Sequence, residues 1–258
     1  MKKSFIIPAL ILLTISCTNK KSVKENWIPL FNGKNLDGWV IKIKGHPLNE
    51  NYNNTFRVED GILKVSYDKY EKFDGEYGHI FYKTPFSSYR LRVDYRFTGE
   101  QCPGGASWAF MNNGILFHSQ SPESMLPDQD YPVSIEAQLL GSDGSSYRPT
   151  MNVCTPGTNI VIDTMLITQN CTNSDSKTFV GDMWVHAELI VYGDSLIYHL
   201  VNGDTVLQYS KPQIGGTGKP EDYPLPDGTL LKEGYIALQS ESHPTEFRKV
   251  ELLNLSKK

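Results

Sequence analysis

Val185-His186-Ala187-Glu188-Leu189-Ile190-Val191-Tyr192, then Gly193-Asp194, then Ser195-Leu196-Ile197-Tyr198-His199-Leu200-Val201, then Asn202-Gly203, then Thr205-Val206-Leu207-Gln208-Tyr209. This run decides the fold class. Its residues favour extended backbone, and its apolar positions recur with a period near two, which marks half-buried strands. Asn202-Gly203 accepts the positive φ angles of a tight hairpin turn. The same alternation stands in Leu91, Val93, Tyr95 and Phe97 against Arg90, Arg92, Asp94 and Arg96. Tyr235 to Gln239 and Phe247 to Leu255 read as closing strands. Helical periodicity is scarce. Many short strands with regular turn signals predict an all-β sandwich or jelly roll of two antiparallel sheets. No linker or internal repeat divides the body, so residues 27–258 are read as a single jelly-roll domain. Lys211 to Lys232 reads as a long polar loop, a length often tied to function.

Composition narrows the partners. The 258 residues carry 25 Lys+Arg against 29 Asp+Glu, a formal charge of −4. No concentrated positive charge is available to displace counterions from phosphates, so nucleic acid is not an expected partner. At the N-terminus, Met1-Lys2-Lys3 is basic, Phe5 to Ile15 is apolar, and Ser16-Cys17 follows. The apolar run is shorter than the roughly 20 residues a spanning helix needs. A charged start, a short apolar run and a small residue before the cut describe a secretory signal. Leu13-Thr14-Ile15-Ser16-Cys17 resembles a bacterial lipoprotein signal. Residues 1–16 are therefore expected to be removed, Cys17 to carry lipid, and residues 17–26 to form a tether. The expected location is the cell envelope, with the membrane engaged through that anchor only and outer-membrane sorting favoured by the absence of Asp after Cys17.

Three further cysteines, Cys102, Cys154 and Cys171, would then meet an oxidising compartment. Cys154 and Cys171 flank what reads as a hairpin and are the expected disulfide, worth roughly 3 kcal/mol. Nothing near them has metal-ligand spacing.

Parity selects the candidate site residues. In Val133-Ser134-Ile135-Glu136-Ala137-Gln138-Leu139, the apolar residues face the core and Glu136 and Gln138 the other side. In Asn113-Gly114-Ile115-Leu116-Phe117-His118, the same rule sends His118 to the open side, with Gly114 leaving space. In Gly234 to Glu241, Ile236 and Leu238 face the core while Tyr235, Gln239 and Glu241 share the opposite face. Amides, carboxylates and aromatics on one sheet face suit a carbohydrate. Trp108, beside Gly104-Gly105 and Cys102, reads as either a sugar platform or a core tryptophan.

Several blocks together resemble one family. Leu30-Phe31-Asn32-Gly33-Lys34-Asn35-Leu36-Asp37-Gly38-Trp39 is similar to the opening signature of the 3-keto-disaccharide hydrolases, long described as a domain of unknown function. Their activity is given as 3-keto-glucoside 1,2-lyase/3-keto-2-hydroxyglucal hydratase. Phe56 to Leu63, Asn112-Asn113-Gly114-Ile115, Ile135-Glu136-Ala137-Gln138 and Gly234 to Arg248 resemble its later blocks, in order, over roughly residues 27–255. The resemblance implies a concanavalin-like jelly roll. This chain departs from the family pattern at His118, where Arg is common, at Gly141, where Asp is common, and at Ser240-Glu241, where Asp-His is common. It reads as a divergent branch.

The implied chemistry is elimination. A ketone at C3 acidifies the C2 proton, a base removes it, the enolate expels the C1 substituent, and water adds to the glycal. Glu136 or His118 is the expected base, and Glu241 or Arg248 the second polar partner. Gln138, Gln239, Asn113 and Trp108 are expected to bind substrate. Arg248 reads equally as a structural ion-pair partner. No cofactor is required on this reading, and a divalent cation is a possible aid to the enolate. Two other functions stay open. One is a non-catalytic carbohydrate-binding lipoprotein, since fold does not fix function. The other is a conventional glycoside hydrolase using Glu136 and Glu241.

Overall fold

The computed structural model describes residues 25–256. The expected signal segment, Cys17 and most of the tether lie outside the described residues. In chain order the strands are β1 (Ile28–Pro29), β2 (Trp39–Ile43), β3 (Phe56–Glu59), β4 (Ile62–Val65), β5 (Gly78–Tyr82), β6 (Ser88–Phe97), β7 (Asn112–Ser119), β8 (Ile135–Leu140) and β9 (Asn152–Cys154). There follow β10 (Thr158–Ile162), β11 (Met165–Ile167), β12 (Cys171–Thr172), β13 (Val185–Tyr192), β14 (Leu196–Val201), β15 (Asp204–Ile214), β16 (Tyr235–Ser240) and β17 (Thr245–Asn254). They form two antiparallel sheets. The larger runs β11-β10-β15-β14-β13-β6-β17-β4-β3, with β1 on β17, and the smaller runs β12-β9-β8-β7-β16-β5-β2. This is an all-β, concanavalin-like jelly-roll sandwich. Among the described residues, no helix is long and apolar enough to cross a membrane.

Alternation builds the core. Leu91, Val93, Tyr95 and Phe97 of β6 and Ala187, Leu189 and Val191 of β13 point inward. They meet Ile115, Phe117, Ile135, Ala137, Leu139, Ile236 and Leu238 from the smaller sheet. Burying one such side chain is worth about 1.5–3 kcal/mol. β15 runs longer than its sequence suggests, because Gln213 and Ile214 pair with Asn159 and Thr158 of β10. The polar loop therefore starts after Ile214.

One departure from alternation matters. Opposite β16, Tyr235 pairs with Ser119 but Ala237 pairs with Leu116, so β7 carries one extra residue. Such a bulge reverses the facing of whatever follows it. His118 sits there at a φ of 47°.

Cys154 and Cys171 are direct cross-strand partners in β9 and β12 and form a disulfide. The chain between them crosses to the larger sheet, makes the β10–β11 hairpin and returns. Cys102 is free and buried. Replacing both Cys154 and Cys171 by Ser is expected to lower unfolding stability by roughly 3 kcal/mol. Urea titration of the variant beside the oxidised protein measures this, and an unchanged midpoint would contradict it.

Candidate active site

The outer face of the smaller sheet is built in rows fixed by strand register. One row runs Val40, Phe81, Ala237, Leu116, Glu136, Cys154, Cys171. Next to it, Lys42, His79 and Gln239 stand in register on one side, and Gly114, Gln138 and Asn152 on the other. Glu136 is thus a carboxylate in an otherwise apolar row, between a leucine and a disulfide. Gly114 gives it somewhere to lean. A Cβ at Gly114 would lie 2.4 Å from Glu136 Oε1 and 2.7 Å from Gln239 Oε1. The two side-chain tips therefore converge over a glycine, and a larger residue would have to push them aside.

The connection from Ser121 to Pro132 folds back across one half of this face. Met125 packs on Phe81, Leu116 and Ala237. Lys42 Nζ donates to the carbonyls of Ile43, His46 and Pro127 at 3.1–3.2 Å. Gln120 Oε1 accepts from Val133 N (2.7 Å) and Gln129 Nε2 (2.9 Å), and Gln129 Nε2 also donates to Tyr131 O (2.7 Å). These bonds hold Tyr131 at the edge of the uncovered half. There a cavity of about 440 Å³ opens, within the ~300–1,000 Å³ usual for small-molecule sites.

Glu136, Glu241, Asp130, Gln138, Asn112 and Asn170 are its polar lining, and Tyr131, Tyr77 and Trp108 form an aromatic wall. Tyr77 stacks on Trp108 (6.1 Å between ring centres, 19° between planes) and lies 5.3 Å from Tyr131. Trp108 is 52% exposed, so it is no core residue. Its carbonyl accepts from Arg148 Nη2 and Asn112 Nδ2, both at 3.4 Å. Glu241 lies just past β16 and keeps that strand's parity. It is fixed by its neighbour Ser242, held at a φ of 89°. Ser242 N donates to the Tyr67 hydroxyl (2.8 Å), its carbonyl accepts from Cys102 N (2.9 Å), and its hydroxyl accepts from Gln101 Nε2 (2.9 Å).

Electrostatics single out the two carboxyls. Burial pushes the Glu136 pKa well above the usual carboxylate range, and the nearby Glu241 charge pushes it further. Burial also raises Glu241, while the Tyr131 hydroxyl opposes that rise. Tyr131 itself is driven far up by burial and then by Glu241. Two buried carboxyls line one cavity with no Lys or Arg in its wall, an environment that disfavours ionising both.

Of the residues expected from sequence, Glu136, Glu241, Gln138 and Trp108 line the cavity. Gln138 Oε1 accepts from Asn152 Nδ2 at 3.0 Å. Gln239 is fully buried beside Glu136, its amide without a hydrogen-bond partner. Three expectations are corrected. His118 is turned by the bulge toward the β13–β14 turn, where Nε2 lies 3.0 Å from Gly193 O, and burial drops its pKa to about 4. Asn113 has the inward parity: Nδ2 donates to Gln239 O (2.9 Å) and Thr245 Oγ1 (3.2 Å), and Oδ1 accepts from Gly114 N. It braces the strand that carries Gly114. Arg248 lies on the outer face of the other sheet, where Nε donates to Asp94 Oδ2 (3.0 Å) beside Trp184.

Tyr131, Tyr77, Asn112 and His79 were missed. Parity places Asn112 with Gly114, and His79 with Phe81. Tyr131 sits in an irregular segment that no period reaches. Burial and then Lys42 lower His79 to about 3, so it stays neutral, and neither ring nitrogen has a partner. A divalent cation would need ligands beyond Glu136 and Glu241. Among the described residues no group of three or more His, Cys, Asp or Glu side chains is placed to hold a metal ion.

Two tests follow from the geometry. Gly114→Ala should fold but lose about 1–3 kcal/mol from overpacking, with Glu136 displaced in its crystal structure; an unmoved carboxylate would refute the crowding argument. The raised carboxyl pKa values also set a sign. The folded state keeps protons that the unfolded chain releases above the ordinary carboxylate range. Their stabilisation is present at acid pH and is lost as pH rises through the raised values. Glu241→Gln should thus raise the melting temperature more at pH 8 than at pH 5. Each 1 kcal/mol gained is about 2–4 °C for a chain of this size. Equal shifts at both pH values would remove the buried-charge account.

The fold and site can be set beside known proteins. The model of the 3-keto-alpha-glucoside-1,2-lyase-like domain matches residues 26–253. No curated protein matches the sequence. Two solved structures from Parabacteroides distasonis ATCC 8503, described as candidate glycosyl hydrolases, each superpose with a TM-score of 0.52. One is 18% identical, covering 89% of this chain and 100% of its own; the other is 19% identical, covering 89% and 94%. The exoplasmic/lumenal domain of VIP36, in a form bound to Ca2+ and Man3GlcNAc, is 10% identical with a TM-score of 0.50, covering 92% and 91%. At such identities these likenesses speak to the fold. The family match takes in nearly every described residue and both carboxylate-bearing strands, and the chain belongs to the family of 3-keto-alpha-glucoside-1,2-lyase-like domains.

Proposed function

We propose that this protein is a carbohydrate-active enzyme that cleaves 3-keto-glycosides by elimination across C1–C2 followed by hydration. The observation that carries the reading is the Glu136–Glu241 pair, buried in one cavity with raised pKa values and an aromatic wall. Elimination needs a base for the C2 proton and an acid for the departing oxygen at the same moment. Two carboxyls, one protonated and one ionised, supply both.

The surroundings decide who starts as which. Glu136 stands between Leu116 and a disulfide, so it is the carboxyl that starts protonated. The charge rests on Glu241, facing the Tyr131 hydroxyl. Glu241 then takes the proton from C2, the electron pair moves into the C3 ketone as an enolate, and the C1–O bond breaks as the enolate collapses. Glu136 gives its proton to the leaving oxygen. The pair is now inverted. Glu136 deprotonates the water that adds at C1, Glu241 returns its proton to C2, and the starting state is restored. This gives the base role in the first step to Glu241 and the acid role to Glu136, the reverse of the role expected for Glu136 from sequence. Gln138 and Asn112 are placed to bind hydroxyls, and Trp108 and Tyr77 to meet the C–H face of the sugar ring.

A second reading shares the same pair. Two carboxyls in one cavity also suit conventional glycoside hydrolysis, and turnover of unoxidised glycosides would favour it. For residues 1–26 the proposal remains a lipoprotein signal, Cys17 and tether, checked by mass spectrometry of the mature N-terminus.

Leaving-group chemistry tests the roles. Glu136→Gln should lower kcat by about 10²–10⁴ on a 3-keto-glucoside with an alkyl leaving group, yet keep most of the first-turnover rate of 4-nitrophenolate release from a 3-keto 4-nitrophenyl glucoside, whose phenolate leaves without a proton. Glu241→Gln should lose both, together with exchange of the C2 proton into heavy water. Equal loss from Glu136→Gln on both substrates would reject its role as acid, and full activity in both variants would reject the site.

A further inference from the structure

The outer face of the larger sheet has no role in the chemistry above, and its two halves differ. Around β17, β4 and β3 it is laced with ion pairs: Arg92 with Glu251, Arg96 with Glu246, Lys64 with Glu59. Over β13 and β14 it is apolar. The core takes Val185, Ala187, Leu189 and Val191 of β13 and Ile197 and Val201 of β14. Parity therefore turns Ile190, Tyr192, Leu196, Tyr198 and Leu200 outward. Ile190 pairs with Tyr198 and Tyr192 with Leu196, so these side chains adjoin in one patch, and Tyr192 is 47% exposed.

The N-terminal chain arrives at this patch. From β1, which pairs with β17, it runs back across the outer face. The Arg92 guanidinium lies 3.4 Å from the Trp27 ring centre, and Glu25 Oε1 lies 3.5 Å from Arg90 Nη1. Arg90 is the cross-strand partner of Ile190. The described chain thus starts one strand away from the patch. Only residues 17–24, Cys-Thr-Asn-Lys-Lys-Ser-Val-Lys, include and follow Cys17 before that point. Fully extended, they reach roughly 30 Å. A folded body of this length has a radius of gyration of roughly 17 Å, so it is wider than the tether is long. The carboxylate cavity opens on the smaller sheet, on the far side of the sandwich.

We propose that the patch of Ile190, Tyr192, Leu196, Tyr198 and Leu200 is a membrane-facing surface that lies against the bilayer headgroups, so that the carboxylate cavity opens away from the membrane into water. This rests on the lipoprotein reading of residues 1–26. The chemistry fits that partner. Tyrosine rings among aliphatic neighbours suit the headgroup boundary, where one end of the ring meets apolar chains and the other meets water. Residues 17–24 hold Lys20, Lys21 and Lys24 and no acidic residue, a charge that draws the tether to anionic headgroups. A short tether also raises the effective concentration of the patch at the bilayer, so a patch too small to bind a membrane by itself is enough to orient the domain. Substrate then reaches the cavity from the aqueous side.

The test uses the full chain, expressed with its own N-terminus in a lipoprotein-processing bacterium and reconstituted into vesicles of phosphatidylethanolamine and phosphatidylglycerol. A nitroxide is attached through Tyr192→Cys or, on the outer side of the smaller sheet, through Leu126→Cys; both positions are exposed, while Cys102 is buried. Collisions with oxygen, which concentrates in the bilayer, are compared with collisions with a nickel chelate, which stays in water. The oxygen-to-chelate ratio should be several-fold higher at position 192 than at position 126. Adding Leu196→Glu and Tyr198→Glu should bring position 192 down to the ratio of position 126, with the circular dichroism unchanged. Equal ratios at the two positions in the vesicle-bound chain overturn the surface. So does spin–spin broadening at position 192 without oxygen contact, which would make this face an interface between two copies of the chain. Vesicle flotation separates the two readings. A chain that floats with position 192 in water keeps the anchor and loses the surface; a chain that does not float loses both.

Discussion

Two buried carboxyl groups lining one cavity, with no Lys or Arg in its wall, are the constraint around which this molecule is arranged. A buried unpaired charge is costly, and a flexible scaffold would relieve it by letting one side chain swing to water. Here neither can. Glu136 stands on β8, hydrogen-bonded to β7 on one side and β9 on the other. Glu241 follows β16 directly and is locked by the three bonds to Ser242, which also hold that residue in a left-handed conformation costing about 1–3 kcal/mol. The sandwich core thus supplies the stability that the site consumes, a usual exchange between fold and function.

The fold was legible because its signal is local and repeated. Each of β6, β13 and β16 states its facing in its own alternation, and Asn202-Gly203 states its turn. The disulfide was legible because the cysteines left few pairings. The site was legible only where a strand stays regular. Parity placed Glu136, Gln138 and Glu241 because β8 and β16 hold their period through those positions. It failed at His118 because a bulge depends on how β7 meets β16, which no single strand encodes. Asn113 misled for the opposite reason: its block matched the family, but its parity was inward, and the residue braces Gly114 rather than touching the cavity. Arg248 followed a family block onto the wrong sheet. Tyr131 escaped entirely, since its place comes from glutamine side-chain bonds in a segment without periodicity.

The departure at Ser240-Glu241 gains meaning from this geometry. Where the family pattern commonly carries Asp-His, this chain puts a carboxyl at the position whose parity reaches the cavity. Burial raises its pKa, and burial and then the Glu241 charge raise that of Glu136. The apolar row of Leu116 and the Cys154–Cys171 disulfide provides that burial. The disulfide flanks Glu136 on one side, and Gly114 leaves the space into which the Glu136 and Gln239 side-chain tips converge.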